Sequence, residues 1–259
     1  MTADTVTSEL IAEFRRGSTT ALARMISMVE NGEPAAERIL AEVQSGVGAA
    51  YRIGITGAPG VGKSTLTGRM IQEYRRRGMT IAGVVVDPTS PLSGGALLGD
   101  RIRMTEAATD DGVFVRSMAT RGAYGGLASA TRQVCDVLDG FGFDRIIIET
   151  VGAGQSDLAV TEVTDTTVLL LVPESGDSVQ VMKAGILEVA DLFVVNKADR
   201  SGAGCLAKEL HGLAEIRDAA GSLPRAGGGE GRNPQVFKTV ATENTGVVEL
   251  VDALEALRT

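Results

Sequence analysis

Residues Gly57-Ala58-Pro59-Gly60-Val61-Gly62-Lys63-Ser64-Thr65 carry the spacing GxxxxGK[ST]. Glycines so placed let the backbone curl until successive N–H groups face inward, beside a helix N-terminus whose partial positive charge favours anions. The chemistry is a grip on polyphosphate. Lys63 would reach the β- and γ-phosphates, and the Ser64 hydroxyl would ligate Mg²⁺. The spacing has this meaning only directly after a strand and at the start of a helix. RIGIT (52–56) before it and the stretch from Lys63 to about Arg77 after it supply both.

A second signal, Asn196-Lys197-Ala198-Asp199, ends the apolar run LFVVNK. A carboxylate there can accept hydrogen bonds from both the guanine N1–H and the exocyclic amine. Adenine lacks that donor pair, so Asp199 would select the base. Asn196 would brace the loop, and the Lys197 stem would cover the face of the base. Val240 and Ala241 follow the last strand, where a backbone amide can meet the guanine oxygen. The expected substrate is GTP.

Two acidic segments complete the chemistry. Asp144-Arg145-Ile146-Ile147-Ile148-Glu149 is an apolar run ending in an acid, and such a carboxylate can hold a Mg²⁺-bound water or position the attacking water. The Gly152 amide that follows can meet the γ-phosphate. The run ending at Asp87 enters a Gly/Pro/Ser loop that contains Asp100, where a mobile segment can close over phosphates. Asp87 and Asp100 are candidate metal or water-positioning acids. Lys63, Asp100 and Glu149 form the catalytic set; Ser64, Asp87, Asp100 and Glu149 form the metal set.

The elements that must position these residues alternate after Tyr51. Strands are expected at 52–56, 80–87, 113–118, 144–150, 166–172, 192–197 and 235–240, and helices near 63–77, 126–140, 178–189, 202–220 and 246–258. Continuous Val/Ile/Leu runs suit strands buried on both faces of a mostly parallel sheet. The fold class is therefore α/β, a P-loop NTPase domain over 51–259. Residues 1–50 read as helices alone, broken at Gly17-Ser18 and at Asn31–Pro34, a small N-terminal helical extension. The Gly-rich stretch 221–234 reads as a surface loop.

Composition excludes several other classes. The chain has 259 residues and a formal net charge of −8, which disfavours nucleic acid as the main partner. It contains no apolar stretch of roughly 18 residues, and its N-terminus lacks a signal-peptide layout. A cytoplasmic protein is expected. Cys135 and Cys205 read as buried thiols, and the lone His211 as a surface residue, so a histidine triad or His-rich metal store has no residues to build it.

GAPGVGKST, DPTSP…GGALLGDRIRM, RSMATRGAYGGLA, ETVGAGQSD and NKAD, in this order, resemble the MeaB-type GTPases. These are G-protein chaperones of adenosylcobalamin-dependent acyl-CoA mutases. The resemblance runs from the N-terminal helices to the last helix. It implies a Mg²⁺-dependent GTPase that docks on a mutase, gates cobalamin delivery and helps replace damaged cofactor, with an adenosyltransferase as a further partner. It also implies that 174–183 is the segment coupling nucleotide state to the mutase, with Asp177, Gln180 and Lys183 in that role. The sequence departs from the family in DPTSP for DPSSP and in Asp157 for Glu. Relatives commonly continue into a C-terminal arm that builds a dimer, whereas this sequence stops at Thr259; a homodimer would not be expected to use that arm. A small-molecule kinase and a nickel- or cobalt-insertion GTPase are the rival readings. The first would need an acceptor pocket and a lid, and the second commonly a His- or Cys-rich tract.

Overall fold

The structure is a computed structural model that describes residues 3–88, 110–120, 124–150, 160–174, 187, 190–219 and 234–258. Three helices come first: α1 (Ala3–Arg15), α2 (Thr19–Glu30) and α3 (Ala36–Val43). The alternating region follows as β1 (Tyr51–Gly57), α4 (Lys63–Arg76), β2 (Ile81–Pro88), β3 (Val113–Thr120), α5 (Tyr124–Phe141), β4 (Arg145–Thr150) and β5 (Thr166–Leu171). It ends with β6 (Leu192–Asn196), α6 (Ala203–Ala219), β7 (Gln235–Thr239) and α7 (Val247–Leu257).

The strands form one sheet in the order β3-β2-β4-β1-β5-β6-β7, with every neighbouring pair parallel. Side chains alternate between its two faces, as strand geometry requires. On β1, Ile53 and Ile55 join Leu66, Met70, Leu250 and Leu254 from α4 and α7. On β4, Ile146 and Ile148 point the other way, into a cluster with Leu22, Met25, Ile26, Val134 and Leu138. Leu169 and Leu171 on β5 meet Leu206 and Leu210 of α6. Both faces are covered, which is why the strands read as unbroken apolar runs.

The N-terminal helices take their place by packing and by one buried acid. In α2, Ala21, Leu22, Met25, Ile26 and Val29 share a buried face, and Ser18 caps the helix by accepting from the Ala21 amide at 3.2 Å. Asp139 of α5 is fully buried and accepts from the amides of Gly48, Ala49 and Ala50 at 2.7, 3.2 and 2.8 Å. Arg52 then bridges Asp139 and Asp136 at 3.1 and 2.8 Å. The segment joining α3 to β1 is thus pinned to α5.

The expected helix at 178–189 lies outside the described residues except at Leu187, and the Gly-rich loop lies outside them except for Pro234. One expectation is corrected. Cys135 is buried, but Cys205 is exposed. The inner face of α6 is taken by Ala203, Leu206, Ala207, Leu210 and Ala214, and at helical spacing residue 205 falls on the outer side. His211 is exposed as expected. Among the described residues no helix is long and apolar enough to cross a membrane.

Candidate functional site

The carboxyl edge of a parallel sheet, where successive crossovers leave in opposite directions, is where α/β folds bind ligands. Here β1 connects toward β2 on one side, while β4 connects to β5 across β1. The Gly57–Thr65 loop leaves β1 at this point. Gly57 has φ +146°, and a Cβ there would run into the Leu170 carbonyl oxygen of β5. Gly62, at φ +99°, is the left-handed residue immediately before α4, so the chain turns straight into the helix with its first amides at the mouth of the loop.

Lys63 is buried, and its Nζ donates to the carbonyls of Gly57 at 2.7 Å and Ala58 at 3.1 Å. The ammonium is held over the loop by the loop's own backbone. An incoming phosphate would exchange these partners for charged oxygens, a stronger class of hydrogen bond.

Glu149 lies one residue from the end of β4 and is only 1% exposed. Ser64 Oγ donates to its Oε1 at 2.6 Å, and Thr67 Oγ1 to its Oε2 at 3.0 Å. Thr67 was not among the sequence candidates. It stands three residues after Ser64, on the same helix face, and that spacing is the signal that could have found it. A buried carboxylate and an adjoining hydroxyl are hard oxygen donors of the kind a small divalent cation takes alongside water and phosphate. On β2, Asp87 lies in register with Ala119, one position beyond the Val86–Thr150 pair, so its backbone stands at this same edge. Asp100, Gly152, Asp177, Gln180 and Lys183 lie outside the described residues.

The end of β6 forms the other pole. Asn196 is buried and bonds in three directions: Nδ2 donates to Val61 O at 2.9 Å, while Oδ1 accepts from Thr239 Oγ1 at 3.0 Å and from the Ala241 amide at 3.2 Å. One side chain therefore joins the phosphate loop, its own turn and the turn after β7. Lys197 takes a positive φ of 53°, and its Nζ donates to Gly60 O at 2.9 Å, a second tie between the poles. Asp199 follows, exposed. The Val240 amide donates to Thr245 O at 3.0 Å, so the amides of both Val240 and Ala241 have partners within the protein, which a guanine oxygen would have to displace.

Arg69, also unforeseen, closes the ring. From α4, its Nε donates to Ala241 O at 3.1 Å and its Nη2 to Thr242 O at 3.0 Å. No local pattern distinguishes it from the other arginines of α4. At the rim, Arg200 Nη1 pairs with Glu174 Oε1 at 2.6 Å, and this hydrogen bond holds the Glu174 carboxyl below its usual range.

A sequence model described as Methylmalonyl Co-A mutase-associated GTPase MeaB matches residues 22–259. The chain belongs to the MeaB family. A Pyrococcus abyssi relative carrying the name putative GTPase is 47% identical over 251 residues, covering 96% of this chain and 75% of that one. GTPase ArgK of Escherichia coli is 34% identical over 196 residues, 74% of this chain and 59% of that protein. The mouse protein named methylmalonic aciduria type A homolog, mitochondrial, is 39% identical over 205 residues, 78% and 47% respectively. Among solved structures, the LAO/AO transport system kinase superposes with a TM-score of 0.74 at 26% identity, covering all of this chain and 76% of that one. The hydrogenase maturation factor HypB of Archaeoglobus fulgidus, at 17% identity and a TM-score of 0.57, shares the fold. This MeaB-family chain is accordingly a P-loop GTPase, converting GTP and water to GDP and phosphate.

Proposed function

We propose that this GTPase is a Mg²⁺-dependent switch and a metallochaperone that gates adenosylcobalamin delivery to an acyl-CoA mutase and helps protect and reactivate it. The observation that carries the hydrolytic half is the buried Glu149 carboxylate bonded to Ser64 beside the phosphate loop. Ser64 and Glu149 would hold Mg²⁺, with Asp87 and Asp100 contributing from the loop after β2. The ion, when bound, supplies positive charge to the β- and γ-phosphates. The chain's own part is to orient. Lys63 spans the phosphates, Glu149 fixes the Ser64 hydroxyl, and Gly152 offers an amide to the γ-phosphate. Asp199 selects guanine, and Lys197 covers the base. Loss of the γ-phosphate would release the loops around Asp87–Asp100 and 150–157, and 174–183, with Asp177, Gln180 and Lys183, would pass that change to the partner.

The mutase half of the proposal is supported by the family's description and by the mouse relative's name. The rival metal-insertion reading has little to build on: the sequence holds one histidine, His211, and two cysteines, Cys135 and Cys205, far apart in the chain. The kinase reading draws on the name of the LAO/AO transport system kinase.

Three measurements test the proposal. Asp199→Asn should lose GTP and gain xanthosine triphosphate, with ATP poor throughout; equal turnover of ATP and GTP would refute the base assignment. Affinity for an acyl-CoA mutase with its cobalamin domain should differ between a non-hydrolysable GTP analogue and GDP; equal affinity would refute the switch. Phosphate transfer to a metabolite in preference to water would favour the kinase.

A further inference from the structure

The turn that carries Asp199 places a cation directly beside it. Arg200 follows in the chain, and the charge of Asp199 adds to the larger effect of Glu174 in raising the Arg200 pKa above its ordinary value. An aspartate that must accept two guanine N–H groups is disabled by a guanidinium forked onto its oxygens, because that fork fills the same lone pairs. In this structure the Arg200 guanidinium is elsewhere. It pairs at 2.6 Å with Glu174, in the turn after β5, and among the described residues no side chain bonds the Asp199 carboxylate.

The pair is not needed to hold the turn in place. The Ala198 amide donates to Thr239 O at 3.0 Å, and the Arg200 amide closes onto Lys197 O at 3.0 Å. Asn196 and Lys197 fasten the same segment to the phosphate loop. A Cβ at Gly202 would lie 3.6 Å from Pro173 Cβ, so the turns at 173–174 and 197–202 are in contact without the ion pair. Both partners of the pair are also about half exposed, a setting in which an ion pair adds little to stability. Its position next to a base-reading carboxylate gives it a different use.

We propose that Glu174 is a specificity-determining positioning residue: by occupying Arg200 it keeps the Asp199 carboxylate available to guanine. The inference rests on the reading of Asp199 as the base selector. It makes Glu174 and Asp199 competitors for one guanidinium, which a mechanical brace would not do.

The test is an equilibrium titration with a fluorescent GDP at low salt. Glu174→Gln should weaken binding about two- to fivefold, the range open to a surface charge pair. Arg200→Gln alone should bind as the wild type does. The double variant should recover that affinity, because the competing cation is gone. The Glu174→Gln deficit should also shrink in about 1 M salt, where screening acts within roughly 3 Å. In an Asp199→Asn background, probed with xanthosine diphosphate, Glu174→Gln should have no effect. If Arg200→Gln is as weak as Glu174→Gln and the double variant no better, the pair is a brace and the proposal fails. It fails equally if Glu174→Gln binds normally. An Asp199→Asn protein that keeps its guanine preference would instead overturn the base-selector reading, independently of what Glu174 does.

Discussion

The Asn196 side-chain nitrogen occupies the space that a Cβ at residue 62 would need. The carboxamide reaches past Gly62 to the Val61 carbonyl, so the base-reading strand and the phosphate loop touch through a position that tolerates only hydrogen. Two conditions fall on Gly62 together: a left-handed φ of +99° and no room for a side chain.

Gly62→Ala should therefore damage both poles at once. The added methyl displaces Asn196 and strains the backbone before α4. Affinity for GDP and for free pyrophosphate should both fall, by tenfold or more on the order of the strain involved. A variant that lost only base discrimination would contradict the coupling.

Glu149 and Thr67 can be separated by kinetics. Glu149→Gln keeps the shape and removes the charge, so turnover should drop by about a hundredfold, with a raised Mg²⁺ requirement. Thr67→Val keeps the volume and leaves one carboxylate oxygen without its hydroxyl donor. It should cost about 1–2 kcal/mol of stability and only several-fold in rate. Single-turnover phosphate release across a Mg²⁺ series distinguishes the two.

Arg69→Gln should loosen the turn after β7 without touching the phosphates. Losing two hydrogen bonds to the carbonyls of Ala241 and Thr242 should weaken guanine nucleotides about fivefold, near 1 kcal/mol, and leave pyrophosphate binding unchanged. Comparing GDP with pyrophosphate by calorimetry reads that difference directly.

Stability should fall on the acid side through Glu73. Hydrogen bonds from Arg76, opposed by burial and aided by Arg77, hold its pKa at about 2 instead of 4.5. A depressed carboxylate contributes stability that is fully present above its unfolded pKa and is lost as pH falls through the folded one. The loss from this group should thus span about pH 4.5 to 2. Glu73→Gln should be less stable at neutral pH and show a shallower slope across that window in denaturant melts.

What was legible in the sequence was what is local in it. The phosphate loop, the run ending in Glu149 and the Asn196–Asp199 turn each carry their meaning within a few residues, and the parallel sheet announces itself through strands apolar on both faces. Thr67 and Arg69 were missed because their partners lie 82 and 172 residues away. Nothing in its own window marks Arg69, and Thr67 is marked only by its three-residue spacing from Ser64. Cys205 was misjudged for a related reason: thiols are usually buried, but the phase of α6 decides which side a given residue faces. Asp139 was also silent, an ordinary acid on an amphipathic helix until the chain between α3 and β1 is seen to hang from it.

That last contact sets a schedule for synthesis. The Gly48 amide and the Asp139 carboxylate are 91 residues apart. A ribosome, releasing about 5–20 residues per second, makes α2 and α3 several seconds before their support on α5 exists. For that interval Leu22, Met25 and Ile26 have only α1 and α3 to pack against, without Val134 and Leu138 of α5, and the amides of Gly48, Ala49 and Ala50 lack their Asp139 acceptor. Production of this protein in a foreign host should therefore be limited by the fate of its first fifty residues on the nascent chain, well before any nucleotide is bound.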